Sequence, residues 1–425
     1  MHTMDFAAAN QSVESAPFTE AWAAYRLSML NRQLSYAVDN SRFYRERLSG
    51  LSLPLASATD ITRFPFTTEE DIRRHGRDML CLGGDRIERV VTLNSTGSGG
   101  LPKRLYFTRG DLERTVDFFS AGMVYMCAPG DVVFIFMPAS SDDSIGRLLA
   151  EGLHQLGANP LVFGMIQDYR QAADALSRGR PHTIVGTPSQ MRKLALYAPD
   201  IRPDNVLLSA DYIAQSLKET ISRIWRCAVF EHYGLTESGY GCAVECPKHD
   251  GMHIRHDELL LEIVEPGGAK PAAGGEWGEI VLTTFRREAM PLIRYRTGDM
   301  GRLIHGRCAC GGGLPRLAHV RGRLTELASA VNIYQMDELL LSEDGVFDYR
   351  ASMTGGVLTV MVEAASPDSC RVCGERLAHQ WPGLSFRVLP SDAAGLAGLD
   401  ALPVTDYLLP GRSPKRGIKR KNTDS

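Results

Sequence analysis

Short apolar runs alternate with stretches of helical length through the middle of the chain, and this alternation limits the folds that it can adopt. The apolar runs predict buried strands at Asp131–Met137, Pro160–Phe163, Thr183–Gly186, Val206–Ser209 and Ala228–Phe230. The segments between them predict helices at Ser144–Leu156, Ser189–Tyr197 and Ala214–Trp225. Strands separated by helices of this length form parallel sheets. We therefore predict an α/β fold.

Further elements are predicted on either side of this region. The apolar spacing from Phe18 to Leu48 is helical, Thr67–Glu70 has the pattern of a capping box, and Arg109–Met126 is predicted to be a helix. From His253 to Phe285 the chain is rich in strand-forming residues with tight turns.

A smaller second domain is predicted to begin near Arg323. Its pattern is mixed, with a helix at Gln335–Leu341 and strands at Val357–Glu363 and Ser385–Leu389. The expected organisation is a large N-terminal domain over residues 1–322, a hinge over 323–326 and a small α+β domain over 327–425.

Composition excludes several classes of protein. With 425 residues the chain is long enough for more than one domain, and its net charge of -3 argues against nucleic acid or a membrane surface as the main partner. No apolar run has the length of a membrane-spanning helix, and Met1–Glu20 lacks the pattern of a secretory signal, so the cytoplasm is the expected location. Nine cysteines, an odd number, do not indicate a disulfide framework.

A glycine-rich loop lies within Asn94–Thr108, between two β-rich segments. Its free backbone N–H groups and hydroxyls, together with the charge of Lys103, are typical of a loop that binds polyphosphate. A P-loop is excluded because Pro102 precedes the lysine and Arg104 follows it, and the spacing of a dinucleotide fingerprint is absent. The alternative is a flexible surface turn.

Four further motifs follow in order. They are Glu231–Glu237 (EHYGLTE), Tyr295–Asp299 (YRTGD), Arg321–Arg323 (RGR) and Pro414–Arg420 (PKRGIKR). Taken singly, the first two could be ordinary turns, and the last could be a solvated basic tail.

The glycine-rich loop and these motifs together resemble, in order and separation, those of the adenylate-forming (acyl-activating) superfamily. Asn40–Tyr44 (NSRFY) and Met290–Arg294 (MPLIR) resemble its phenylacetate–CoA ligase-like branch. The sequence departs from the family pattern at Gly99, at Pro414 and after Arg323, where the pivot residue could be Thr325 or Glu326. The resemblance implies a large domain with parallel sheets and a C-terminal lid that rotates on the hinge.

The resemblance also assigns roles to individual residues. It implies a nucleotide site that contains Ser95, Thr96, Gly97, Ser98, Gly99, Gly100, Lys103, Ser209, His232, Tyr233, Gly234, Asp299 and Arg323. Thr236 would contact the α-phosphate, Glu237 would hold Mg²⁺, and Lys415 would stabilise charge during adenylation, with Lys419 as its rival.

The activity implied is that of an acid–CoA ligase. It would convert a small carboxylic acid and ATP to an acyl-adenylate and then transfer the acyl group to CoA. An aryl or arylacetic acid is expected, in a pocket lined by Phe136–Gly146 and Gly234–Gly241. The polar segment Ser140–Asp143 could accommodate a hydroxylated or amino acid, or could be an exposed loop. A homodimer is also expected.

Two other functions remain open at this point. The acyl group could be loaded onto a carrier-protein thiol or an amine, or the chain could be a non-catalytic relative that keeps the fold. The presence of Lys103, Glu237, Asp299, Arg323 and a C-terminal lysine argues against the second alternative.

Two short Cys/His pairs predict a structural zinc site. Cys246 and His253 follow the first of the four motifs, and Cys308 and Cys310 follow the second. Thiolates and imidazole suit Zn²⁺, and similar pairs recur at these places in phenylacetate–CoA ligase-like proteins. His249 could replace His253, and unligated thiols are the alternative. A further pair in the predicted C-terminal domain, Cys370–Cys373 (CRVC), is interpreted as free thiols.

Overall fold

The computed structural model describes residues 16–93, 101–354, 356–390 and 419–420. The predicted phosphate-loop residues Ser95–Gly100 and the predicted catalytic Lys415 lie outside the described residues. Of Lys419 only the backbone is described, in a short strand.

The N-terminal region is helical, as its apolar spacing predicts, and it is divided into two helices. Helix α1 spans Ala16–Asn40 and α2 spans Arg42–Arg47. Ser41 between them has an extended backbone, and its hydroxyl accepts a hydrogen bond from the backbone N–H of Tyr44. A serine that caps a helix in this way starts a new helix axis.

The remaining helices pack around the sheets. They are α3 Glu69–His75, α4 Arg109–Met123, α5 Ile145–Gln155, α6 Tyr169–Gly179, α7 Pro188–Tyr197, α8 Gln215–Trp225, α9 Leu324–Leu327, α10 Ile333–Leu340 and α11 Pro367–Gln380. A capping box precedes α3, one residue later than the predicted Thr67–Glu70, with Thr68 at the N-cap and Asp71 as its partner. Helices α6 and α11 were not predicted.

The largest sheet confirms the predicted α/β alternation. Its parallel part contains β3 Val132–Phe136, β4 Asn159–Val162, β5 Thr183–Gly186, β6 Asn205–Leu208 and β7 Ala228–Tyr233. These strands lie in the order β4-β3-β5-β6-β7, and each adjacent pair is parallel. The inner strands are buried on both faces, which explains their uninterrupted apolar sequences.

Beyond β7 the same sheet becomes antiparallel. It continues through β8 Ala243–Glu245, β9 Met252–Ile254, β14 Arg316–Leu317 and β13 Leu303–Ile304. The pairing of β9 with β14 brings together two segments that are far apart in sequence. The Cys/His pairs lie in these two segments.

Two smaller antiparallel sheets complete the large domain. A hairpin joins β1 Arg89–Leu93 to β2 Lys103–Phe107, so the glycine-rich loop connects two paired strands. A second sheet contains β10 Leu259–Val264, β11 Gly278–Thr284, β12 Tyr295–Gly301 and β15 Gly322–Arg323.

The C-terminal part has the predicted mixed content. Its sheet, in the order β18-β17-β16-β19, is formed by β16 Val346–Thr354, β17 Val357–Ala364, β18 Ser385–Pro390 and β19 Lys419–Arg420. Helix α11 packs against β17 and β18, and α10 packs against α11 and α8. The division into domains at residues 322 and 327 stays a prediction.

Polar contacts, one of them fully buried, attach this C-terminal part to α7 and α8. The Arg192 guanidinium donates hydrogen bonds to the carbonyls of Val346, at 2.6 Å, and Glu343, at 2.9 Å. The Glu338 carboxylate accepts from the backbone N–H groups of Gln215 and Ser216 at 2.6 and 2.9 Å. It therefore caps the N-terminus of α8, whose own N-cap side chain makes no such bond.

Among the helices of the described segments, none is long and apolar enough to span a membrane.

Candidate functional site

Four separate segments bring charged and phenolic side chains together beyond the end of β7. Lys103 is the first residue of β2, Glu237 lies in the loop after β7, and Tyr295 is the first residue of β12. Asp299 lies further along β12, and Arg323 lies in β15. The structure therefore brings together Lys103 of the glycine-rich segment and residues from three of the four further motifs.

A buried ion pair occupies one side of this group. The Lys103 ammonium lies 2.6 Å from Oε1 of Glu237, and the Tyr295 hydroxyl donates to the same oxygen at 2.9 Å. Lys103 also lies 3.3 Å from Oε2 of Glu69 in α3. Burial opposes ionisation of Glu69, but Lys103 and Arg73 outweigh it, so the pKa of that carboxyl is lowered. The site therefore has a lysine flanked by two carboxylates, of which sequence reasoning identified only one.

A chain of contacts from Tyr233 to Arg323 occupies the other side. The Tyr233 hydroxyl donates to Oδ2 of Asp299 at 2.9 Å, and Nε of Arg323 lies 3.3 Å from Oδ1. Asp299 raises the pKa of the Arg323 guanidinium, which stays charged. Burial and the neighbouring Asp299 carboxylate raise the pKa of Tyr233, so its phenol stays protonated. Asp299 is thus a buried carboxylate held by a donor on each oxygen.

The loop after β7 depends on a glycine at position 234. A Cβ at Gly234 would lie 2.1 Å from the carbonyl oxygen of Tyr240 and 2.7 Å from the His232 ring. Any side chain there would displace the returning loop. The turn is closed by Ser238, whose hydroxyl accepts from the Leu235 backbone N–H at 3.1 Å. Gly234 therefore sets the path of the segment that carries Thr236 and Glu237.

An apolar cavity lies beside this group, between α4, α5 and the central sheet. It contains about 410 Å³ of empty space between its atoms, part of it open to solvent. Its apolar lining includes Phe118, Phe119, Met123, Met137, Leu149 and Val244, and Ser209 and His232 also line it. The hydroxyl of Ser209 lies 2.7 Å from Nδ1 of His232.

The cavity and the predicted pocket overlap only in part. Met137 and Ile145 come from the predicted range Phe136–Gly146, whereas no residue of Gly234–Gly241 is among those that line this cavity. The sequence analysis did not include α4 in the pocket. Its apolar face, which contains Phe118 and Phe119, could have indicated that these residues are buried. Of the polar segment after β3, Ser140, Ser141 and Asp142 are exposed.

A Cys/His cluster forms where β9 pairs with β14. The ligand atoms of Cys246, His253, Cys308 and Cys310 all lie within 4.8 Å of one another. The sulfurs of Cys246 and Cys308 are 3.7 Å apart, too far for a disulfide, and the Cys310 sulfur is 3.3 Å from Nε2 of His253. A tetrahedral zinc with Zn–S bonds of about 2.3 Å would place two thiolates about 3.8 Å apart. The donor set and spacing fit Zn²⁺.

The structure distinguishes the two candidate histidines. Nδ1 of His249 lies 3.0 Å from Oε2 of Glu245, so this ring is directed to a different partner. Burial lowers the pKa of His253 to about 4, so this imidazole is neutral near pH 7, the form that binds a metal.

All nine cysteines lie within the described residues and form no disulfide, in agreement with the sequence analysis.

The sequence is similar to those of known phenylacetate–coenzyme A ligases. No family model matches the sequence. The phenylacetate–coenzyme A ligase of Thermus thermophilus is 27% identical over 342 residues, which cover 76% of this chain and 76% of that protein. The phenylacetate–coenzyme A ligase of Escherichia coli is 27% identical over 346 residues, which cover 77% of each chain.

Solved structures of similar fold include several CoA ligases. A 2-hydroxyisobutyryl-CoA ligase, crystallised in the postadenylation state with its acyl-AMP, superposes with a TM-score of 0.78 at 18% identity, and covers 97% of this chain and 90% of that chain. A benzoate CoA ligase from Burkholderia xenovorans has a TM-score of 0.51 at 15% identity, and covers 73% of this chain and 66% of that chain. The chain therefore has this fold, and its resemblance to the phenylacetate–CoA ligase branch of the adenylate-forming superfamily is confirmed.

Proposed function

We propose that this protein is an AMP-forming acid–CoA ligase. The substrate carboxylate attacks the α-phosphate of ATP, which gives an acyl-adenylate and pyrophosphate. The CoA thiol then attacks the acyl carbon, and AMP leaves. The observation that carries the proposal is the convergence of Lys103, Glu237, Asp299 and Arg323 beside an apolar cavity, in a chain similar to phenylacetate–CoA ligases over three-quarters of its length.

The contacts around Asp299 support a nucleotide site. A carboxylate can accept hydrogen bonds from two adjacent hydroxyls, such as those of a ribose. Tyr233 and Arg323 hold Asp299 in place from either side. The proposed nucleoside therefore lies between β12 and the end of β7, with its phosphates toward Lys103.

The ion pair of Lys103 and Glu237 supports a polyphosphate site with a metal. Lys103 supplies positive charge at the root of the glycine-rich loop, and Glu237 supplies a carboxylate ligand. Mg²⁺ bound there would neutralise phosphate charge and favour attack at the α-phosphate. A bound polyphosphate would compete with Glu237 for Lys103, and the Glu237 carboxylate would then be available to hold the metal.

A rotating C-terminal lid stays part of the proposal. The predicted lid, residues 327–425, would move about 323–326 and bring a basic residue of the tail to the acyl phosphate during the first half-reaction. In the arrangement described here, rotation would break the bonds from Arg192 to Val346 and from Glu338 to α8. Lid closure would also exclude water from a hydrolysable intermediate.

We assign a structural zinc to Cys246, His253, Cys308 and Cys310. Four protein ligands leave no open coordination position, so the metal would brace the loops rather than take part in catalysis. It would tie β8 and β9 to the segment before β14, close to the strands that carry the nucleotide contacts. The cytoplasmic location, the absence of nucleic-acid and membrane partners, and a homodimer stay predictions.

The function is tested by pyrophosphate release over a panel of carboxylic acids, with CoA present and absent. We expect ATP-dependent release with at least one aryl or arylacetic acid, and an acyl-CoA product when CoA is added. A carrier-protein ligase or an amide synthetase would release pyrophosphate but give no acyl-CoA. Absence of release with every acid would point to a non-catalytic relative.

Glu237→Gln keeps the shape of the side chain and removes its charge. We expect weaker Mg²⁺ dependence and a loss in adenylation rate of about 10²-fold or more, which is the scale of removing one electrostatic contact to a transition state. ATP–pyrophosphate exchange at varied Mg²⁺ measures both. Glu113→Gln, an exposed change on α4, serves as control. Unchanged exchange kinetics would remove Glu237 from the site.

Lys415→Ala should abolish adenylation by removing positive charge from the developing transition state. Thioester formation from a supplied acyl-adenylate should largely survive, because the lid proposal uses this lysine in the first half-reaction alone. The two half-reactions are measured separately, with Lys419→Ala as the matched variant. Loss of both half-reactions in folded Lys415→Ala would contradict the two-state lid, and a larger effect of Lys419→Ala would move the role to that residue.

Metal analysis tests the zinc site. Protein purified without added zinc should contain about one equivalent, as a four-ligand structural site predicts. Cys308→Ser should lower both zinc content and melting temperature, whereas Cys370→Ser on α11 should change neither. Full activity in metal-free protein of unchanged melting temperature would exclude the zinc site.

A further inference from the structure

His232 places a polar atom against the apolar cavity. Its ring packs against those of Phe118 and Phe119, with centroid distances of 5.9 and 6.2 Å. Nδ1 is 2.7 Å from the Ser209 hydroxyl, whereas Nε2 is buried and has no hydrogen-bond partner among the described residues. A buried imidazole nitrogen without a partner is unfavourable, so its position calls for a ligand group.

The cavity offers no other side-chain partner for that nitrogen. Apart from Ser209 and His232, the described residues that line it are glycine or carry apolar side chains. Burial lowers the pKa of His232 to about 4, so the ring is neutral near pH 7. A neutral imidazole favours a neutral hydrogen-bonding group on the ligand over a negatively charged one, such as a carboxylate in addition to the one that reacts.

The shared hydrogen bond with Ser209 leaves two tautomers. If the serine hydroxyl donates to Nδ1, then Nε2–H donates toward the ligand; if Nδ1–H donates to the serine, then Nε2 accepts. A ligand hydroxyl can satisfy either arrangement, because it both donates and accepts.

The neighbouring residue separates this site from the nucleotide. Successive side chains of a strand point to opposite faces, and Tyr233 contacts Asp299. His232 therefore faces away from that contact and toward the cavity. The sequence resemblance attributes Ser209 and His232 to the nucleotide, whereas their side chains line the apolar cavity.

We propose that His232, oriented by Ser209, determines acid specificity by hydrogen-bonding through Nε2 to a hydroxyl substituent of the substrate. The preferred acid is then hydroxylated, with its hydrocarbon part against Phe118, Phe119 and Val244. This inference rests on the proposed function, since it assigns the cavity to the acid.

The test compares acids that differ by one hydroxyl. The probes are phenylacetate with its ring-hydroxylated isomers and mandelate, and propanoate with lactate. The readouts are kcat/KM for pyrophosphate release and equilibrium binding of each acid. We expect wild-type protein to prefer at least one hydroxylated acid over its parent by about tenfold or more, the scale of one hydrogen bond to a buried group.

Three variants separate the role of His232 from a packing role. His232→Leu should abolish the preference or reverse it toward the parent acid. His232→Gln, whose amide can reach the position of Nε2, should retain much of the preference. His232→Asn can keep the bond to Ser209 but does not reach the cavity, so it should lose the preference. His154→Gln, an exposed change on α5, is the control and should match wild type.

The outcomes for the inference and for the proposed function differ. If wild-type protein prefers the parent acids, or if His232→Leu and His232→Asn leave the ratios unchanged, the specificity role is overturned while pyrophosphate release still supports the ligase. If no acid releases pyrophosphate, the ligase proposal fails, and equilibrium binding then decides. Tighter binding of a hydroxylated acid that is lost in His232→Asn supports the inference, and equal binding overturns it.

Discussion

The structure of the site depends on the burial of Lys103 and Glu237 as a pair. Both side chains are almost completely inaccessible to solvent, and a single buried charge without a partner would be strongly unfavourable. The lysine comes from a hairpin, the carboxylate from a loop of the central sheet and the third partner, Tyr295, from the second sheet. Satisfying these groups therefore fixes three separate parts of the large domain against one another.

The location of the site follows from the topology of the central sheet. The parallel strands β5, β6 and β7 end at the same edge of the central sheet, and loops that follow parallel strands are the usual place for ligand contacts. The same edge meets the start of β12 through the hydroxyl of Tyr295. The proposed nucleotide site and the apolar cavity thus lie on either side of β7, separated by the alternation of Tyr233 and His232 along one strand.

Contacts far from the chemistry constrain the proposed motion. Arg192 is 1% exposed and binds two carbonyls of the C-terminal part, and Glu338 of that part caps α8. Removing one partner from the buried Arg192–Val346 bond leaves a polar group unsatisfied, which costs about 1–3 kcal/mol. A lid that rotates as proposed would have to replace these bonds with others or with water, so residues outside the proposed nucleotide site would influence the equilibrium between its positions.

The sequence alone determined the elements that local patterns specify. Apolar runs separated by helical segments gave the parallel strands, because strands buried on both faces need uninterrupted apolar residues. It also identified the motifs that contain Lys103, Glu237, Asp299 and Arg323.

Tertiary structure decided which side chains meet. It made Glu69 a second partner of Lys103, placed His253 rather than His249 in the Cys/His cluster, and brought Phe118 to His232 at the cavity. The break at Ser41 and the cap of α8 by Glu338 were also outside the reach of local patterns, since they depend on partners that are distant in sequence or on a single hydrogen bond. Local propensity and periodicity act over a few residues, whereas these contacts join segments that only the folded chain brings together.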